Sequence, residues 1–261
     1  MNVASSLAAG LDLLLPSRCA GCAGGTETEH RVRGLCARCR NEMRRASPLA
    51  WQLHAAGGGA TLPGFASSTY DGVIRSALLD YKERGRLCLR FELADSLLVA
   101  VLGAAISTGG HTSLSQRSLL LMPVPSAAAT RRARGHDPVG ALAILAARQL
   151  RALRVDARAV RALQQRRSVD DQAGLDVVGR WANLAGAFAV SRPARVRGRE
   201  VIVVDDIVTT GATALEAARA LSSAGARVVA VACVAATPRR FGAATPRRFG
   251  AATPRRFAAR L

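Results

Sequence analysis

The chain has 261 residues, enough for one sizeable domain plus a small accessory module, and its 49% hydrophobic content excludes a wholly disordered chain. Its 37 basic against 18 acidic residues give a formal charge of +19 and a pI near 11.5. That balance favours polyanions such as nucleic acid or nucleotides, although an arginine-rich coding bias produces the same figure, and it says nothing about fold. Lys82 is the only lysine, so nearly all the positive charge is guanidinium, which grips phosphate with two prongs.

In chain order, residues 1–15 are mildly apolar but lack a basic leader and run straight into a cysteine motif, so they are not read as a signal peptide. Cys19-Ala-Gly-Cys22 and Cys36-Ala-Arg-Cys39 follow. Each pair can present two thiolates from one tight turn, and two such knuckles complete the tetrahedral S₄ set that Zn²⁺ prefers. With all four ligands supplied by protein such a zinc is structural; a redox dithiol is the alternative. Arg18, Arg31, Arg33, Arg38 and Arg40 are near in sequence to offset the thiolates, and His30 between the knuckles reads as a surface residue. Cys88 and Cys233 read as buried small apolar side chains.

Composition divides the chain into an N-terminal zinc-ribbon-like module at 1–47, an α/β body at 65–236 and a repetitive tail at 237–261. The stretch 51–64, with Gly57, Gly58, Gly59 and Pro63, reads as the linker between the first two. In the body, apolar runs at 119–124, 201–204 and 227–234 predict buried strands, and periodic stretches at 139–153 and 213–223 predict helices. That alternation implies right-handed crossovers and a parallel sheet with flanking helices, with ligands beyond the carboxyl ends of the strands. The longest late apolar run, 228–236, is too short to span a bilayer. A soluble, cytoplasmic protein with reduced cysteines is expected.

The segment from 201 to 213 reads Val-Ile-Val-Val-Asp-Asp-Ile-Val-Thr-Thr-Gly-Ala-Thr. Four β-branched apolar residues make a buried strand, and Asp205 and Asp206 follow at its carboxyl end, where only a ligand, a metal or hydrogen bonds justify paired acids. Adjacent carboxylates suit the vicinal hydroxyls of a ribose. Thr209, Thr210, Gly211, Ala212 and Thr213 then supply hydroxyls, a flexible backbone and a helix N-terminus, which together cradle a phosphate.

All thirteen positions resemble the phosphoribosyl pyrophosphate signature of the type I phosphoribosyltransferases. The resemblance implies that fold, a catalytic Asp205–Asp206 pair on the ribose, residues 209–213 on the 5-phosphate, and Mg²⁺ on the pyrophosphate. Joined to a four-cysteine head, the body is similar to the ComF family, linked to competence and DNA uptake. That resemblance rests on residues 80–86 (Asp-Tyr-Lys-Glu-Arg-Gly-Arg), on Met122-Pro-Val-Pro125, and on Gln172, Leu175, Arg180, Asn183 and Phe188. It implies that Lys82 contacts pyrophosphate, the alternative being a solvated lysine at a helix end. After Arg134-Gly135 the family continues Phe-Asn-Gln, whereas here His136-Asp137-Pro138 stands; His136 has no acid or base partner evident in sequence.

The functions implied are a phosphoribosyl transfer from phosphoribosyl pyrophosphate or, in the alternative, non-catalytic handling of single-stranded DNA, with a helicase-like competence protein as partner. The tail repeats Thr-Pro-Arg-Arg-Phe at 237, 245 and 253. An eight-residue period with proline in each unit fits no solenoid and predicts disorder. Such a tail is either a passive duplication or an arm whose arginines grip phosphates while its phenylalanines stack on bases.

Overall fold

The computed structural model describes residues 18–24, 34–54, 61–110, 112–126, 132, 134–166 and 184–237, together with the two-residue strand Arg247–Arg248. Helix α1 (Ala37–Arg44) leads into strand β1 (Leu49–His54), then β2 (Thr61–Thr69), α2 (Gly72–Glu83) and α3 (Arg90–Thr108). The chain continues through β3 (Ser118–Pro123), α4 (Pro138–Ala152), β4 (Asp156–Ala159) and the small pair β5 (Leu163–Gln165) and β6 (Phe188–Val190). Strand β7 (Glu200–Val208), α5 (Ala212–Ser223) and β8 (Arg227–Ala236) complete the body, and β9 is Arg247–Arg248.

The sheet order is β4-β3-β7-β8-β2-β1-β9. Strands β4, β3, β7, β8 and β2 are parallel to their neighbours, while β1 runs antiparallel to β2. The predicted α/β architecture with a parallel sheet and flanking helices is therefore what the chain adopts. Strand β7 lies between β3 and β8, buried on both faces: Ile202 and Val204 enter one core with α3 and α4, and Val201 and Val203 enter the other with α5. A run of apolar β-branched residues without alternation is what a strand covered on both sides requires.

Two readings are corrected. Residues 51–64 are not a linker, because β1 and the start of β2 form an antiparallel hairpin there, pairing Trp51 with Gly64 and Leu53 with Leu62. Trp51 and Leu53 are buried, whereas Gln52 and His54 are exposed, the two-residue alternation of a strand with one face in a core. Gly64 is required under the indole, since a Cβ there would lie 2.4 Å from Trp51 Cε2. Secondly, β7 does not stop at Val204. It continues through both acids to Val208, with Asp205 opposite Cys233 and Val208 opposite Ala236 of β8.

The cysteine head packs onto the body rather than standing apart. Leu35, Cys39 and Met43 join the same core as α2 and α3, and Arg44 Nε lies 3.8 Å from the buried Glu92 carboxylate on α3. The repeat tail lies outside the described residues except for Thr237, Arg247 and Arg248, the backbones of the last two pairing with Ala50 and Leu49 on the edge of β1. No helix among the described residues is long and apolar enough to cross a membrane.

Candidate functional site

At the carboxyl end of β7, Asp205 and Asp206 point to opposite sides of the strand but act as one unit. Asp205 Oδ1 accepts the Asp206 N–H at 2.8 Å, and Asp206 Oδ1 accepts the Ile207 N–H at 2.7 Å. The other oxygen of Asp206, Oδ2, receives the Lys82 ammonium at 2.8 Å. Lys82 comes from the last turn of α2, far away in sequence, and its side chain is only 20% exposed. Lys82 does stand at a helix end, but its side chain turns onto Asp206 rather than into solvent.

The electrostatics follow from that crowding. Burial, and then the neighbouring charge of Asp206, push the Asp205 carboxyl well above its ordinary range, against the opposing pull of Lys82 and the Asp206 N–H. Burial works against the Lys82 ammonium, but Asp206 and Asp205 outweigh it and hold its pKa above the ordinary lysine value. The lysine is a fixed cation facing two acids, one of which is poorly disposed to ionise.

The turn that follows β7 is tightly constrained. Gly211 has φ +76, and a Cβ there would lie 2.3 Å from Leu53 Cδ2 of β1, so both backbone and space demand glycine. The Ala212 N–H approaches Thr210 Oγ1 at 3.4 Å, and α5 begins at Ala212, aiming its positive end at the turn. On the far side, Thr237 Oγ1 donates to the Thr209 carbonyl at 3.4 Å, and the Thr237 N–H donates to the Val208 carbonyl at 3.1 Å, which fixes the loop against the end of β8.

The loop at 134–138 covers the end of α2. Arg134 Nη2 lies 2.5 Å from Glu83 Oε1, next to Lys82. His136 is a packing residue here: its Nδ1 lies 3.0 Å from the Arg134 carbonyl, and its ring meets the edge of Tyr81 at 5.5 Å. Tyr81 in turn donates to the Pro138 carbonyl at 3.2 Å. The departure at His136-Asp137-Pro138 builds a helix start, since Asp137 Oδ1 accepts the Gly140 N–H at 3.0 Å and Pro138 sits in the first turn of α4. That signal, an Asp followed by Pro before an apolar periodic run, was present in the sequence. Of the positions behind the family resemblance, Gln172, Leu175, Arg180 and Asn183 lie outside the described residues, and Phe188 is buried at the start of β6.

In the head, the sulfur atoms of Cys19, Cys22, Cys36 and Cys39 lie within 4.8 Å of one another. Tetrahedral sulfurs around a zinc at about 2.3 Å stand about 3.8 Å apart, and Cys22 Sγ and Cys36 Sγ are at 4.0 Å. The four donors fit zinc. Cys19 Sγ accepts the N–H groups of Gly21 at 3.4 Å and Cys36 at 3.3 Å. Burial opposes its ionisation, but the backbone N–H groups of Cys22, Cys36 and Gly21 bring its pKa down to about 6. Those N–H groups favour the thiolate form that a metal ligand must take. Burial, and then the other three thiols, push Cys39 upward, which is what crowding of like groups produces without a cation among them. Cys233 is buried as expected, whereas Cys88 is only half-buried beside Gly34.

Comparison with known proteins agrees with the geometry. Residues 141–244 match the family described as phosphoribosyl transferase domain. That stretch, two-fifths of the chain, is what resembles the family. The matched residues take in β7, the acid pair, the turn at 209–211 and β8. The chain is 56% identical over 39 residues to ribose-phosphate pyrophosphokinase 2 of Archaeoglobus fulgidus, covering 15% of this chain and 14% of that one. It is 40% identical over 76 residues to the DNA utilization protein YhgH of Escherichia coli O157:H7, covering 29% and 33%. It is 41% identical over 61 residues to orotate phosphoribosyltransferase of Bartonella tribocorum, covering 23% and 32%. These matches span a third or less of each relative's own length.

Proposed function

We propose that the chain binds phosphoribosyl pyrophosphate, or a closely related ribose phosphate, together with Mg²⁺, and that it serves the uptake and use of DNA as a ComF-like protein. One observation carries the first part: an acid pair, a glycine-centred turn at a helix N-terminus and the chain's only lysine converge at one strand end. In this reading Thr209, Thr210, Gly211, Ala212 and Thr213 hold the 5-phosphate, and Asp205 and Asp206 hold the ribose hydroxyls. Lys82, held beside the acid pair, presents its ammonium to the pyrophosphate. Mg²⁺, when bound, supplies positive charge against the pyrophosphate oxygens.

Turnover would be a phosphoribosyl transfer, in which a nucleophile attacks C1 of the ribose as the C1–O bond to pyrophosphate breaks. The contribution of Lys82 is then electrostatic, a cation already desolvated and positioned where the leaving charge grows. The setting in DNA use is supported by the name of the Escherichia coli relative and by the four-cysteine head. The head holds a structural zinc in this reading, the protein works in the cytoplasm, and a helicase-like competence protein is its partner. A second reading, non-catalytic handling of single-stranded DNA by the same site, is favoured by the net charge of +19.

Calorimetric titration with phosphoribosyl pyrophosphate and Mg²⁺ tests the binding, and pyrophosphate release across amine and base acceptors tests turnover. Binding should vanish in the folded Asp205→Asn, Asp206→Asn double variant. Undiminished affinity there would sink the assignment.

A further inference from the structure

A line of polar contacts runs from the cysteine head to Asp80, two residues before Lys82 on α2. Gly34, two residues before Cys36, offers its carbonyl to the Ala20 N–H of the first knuckle at 3.1 Å. The same carbonyl lies 3.5 Å from Arg86 Nη2. Arg86 Nη1 lies 2.9 Å from Asp80 Oδ2, and the Arg86 N–H donates to the Asp80 carbonyl at 3.1 Å. Asp80 is buried in the last turns of α2, two residues before Lys82. The chain can double back this way because Gly85 has φ +66.

Charge balance does not account for Arg86. Asp80 already has a cation in Arg84, whose side chain is 74% exposed and bonds Oδ1 from solvent. Arg86, at 14% exposure, is a second and largely desolvated guanidinium on the same carboxylate, an expensive arrangement if neutralisation were its only role. What it adds is reach: its second prong ends on the junction of the two cysteine knuckles. Gly34 has φ +82, and a Cβ there would stand 3.0 Å from Cys88 Sγ and 3.5 Å from Arg86 Nη2, so the approach admits little more than glycine.

The geometry points to Arg86 as a positioning residue. It fixes the last turn of α2 to the head, so that a metal-loaded head holds Lys82 at the acid pair, and metal in the head and ribose phosphate at the turn bind cooperatively. This rests on the reading of the β7 turn as a ribose-phosphate site. By linkage the effect is reciprocal: ligand at the turn must slow metal loss from the head by the same factor that metal improves ligand affinity.

The test uses the zinc-loaded full chain, Arg86→Lys, and Arg44→Ala as a control that removes a different polar head–body contact, the one to Glu92, without touching Lys82. Lysine keeps a charge for Asp80 but cannot also reach Gly34, so Arg86→Lys should stay folded with about one zinc per chain. It should bind phosphoribosyl pyrophosphate roughly 5- to 30-fold more weakly, and the ligand should no longer slow zinc loss to a chelator. Arg44→Ala should stay within about twofold of the parent. Amide exchange over residues 79–83 provides a readout that needs no ligand. Stripping zinc should speed it in the parent, and Arg86→Lys should exchange like the stripped parent while still holding zinc. Exchange unaltered by zinc removal, parental affinity in Arg86→Lys, or equal weakening in Arg44→Ala would each overturn the proposal. A parent that shows the exchange coupling but binds no phosphoribosyl pyrophosphate would overturn the ligand reading and leave the positioning role standing.

Discussion

Lys82 Nζ and Asp206 Oδ2, 2.8 Å apart, join the end of α2 to the end of β7 and neutralise one of two adjacent acids. Removing one member of a buried pair strands the other, at about 3 kcal/mol. Lys82→Met should therefore lower the melting temperature by roughly 6–12 °C, and Asp206→Asn in that background should restore part of the loss. A double-mutant cycle read by thermal unfolding measures the coupling, expected at about 1–3 kcal/mol. Additive losses would mean that the ion pair contributes nothing.

Asp205 should stabilise the ligand-free protein when replaced. Its folded pKa lies well above the unfolded carboxylate value, because burial and Asp206 disfavour its charge. For a pKa raised on folding, the stabilising contribution is full below the unfolded value and is lost as pH rises through the folded one. As pH rises above the unfolded value the wild type progressively loses that contribution and Asp205→Asn does not. The variant should melt higher by a few °C near pH 7, with the difference closing toward pH 4. Melting curves across that range check the sign, and the same variant should lose ribose-phosphate binding.

The head should carry one zinc per chain. Metal analysis of reduced, chelator-free protein should return about one equivalent, and Cys36→Ser, which removes a ligand and disturbs the group next to Cys19, should bring it near zero. Because the head shares a core with α2 and α3, the loss should also lower the stability of the body. A zinc-free parent with native stability is the contrary result.

The tail offers a test of the nucleic-acid reading. Deleting residues 237–261 removes seven arginines. If several of them grip single-stranded DNA, the slope of log affinity against log salt should flatten by roughly 0.7 for each phosphate no longer neutralised. Replacing Phe241, Phe249 and Phe257 with alanine should weaken binding with little change in slope, since stacking releases few ions. Unchanged affinity and slope in the truncated chain would assign any DNA binding to the body.

What was legible in the sequence was local. The 201–213 segment declares itself because strand, acids, turn and helix follow one another without interruption, and the two CxxC pairs carry their geometry in their spacing. The β1–β2 hairpin escaped because its glycine-rich connection outweighs a four-residue alternation, Trp51 to His54, too short to stand alone. The partner of Lys82 escaped for a different reason. An ion pair between distant helix and strand ends has no periodicity; only the unusual status of a single lysine hinted at it. Arg86 was hidden likewise among many arginines, and only the burial of Asp80 distinguishes it.

The strand order also dictates a timetable. On the ribosome the cysteine knuckles, Asp80 and Arg86 emerge early, whereas β7 follows Lys82 by roughly 6–25 s at ordinary elongation rates. Until then the chain holds two separate flanks, β1 with β2 and β3 with β4, whose facing edges are covered only when β7 and β8 arrive between them. The nascent protein therefore passes through an interval with two open sheet edges, the condition under which strands mispair.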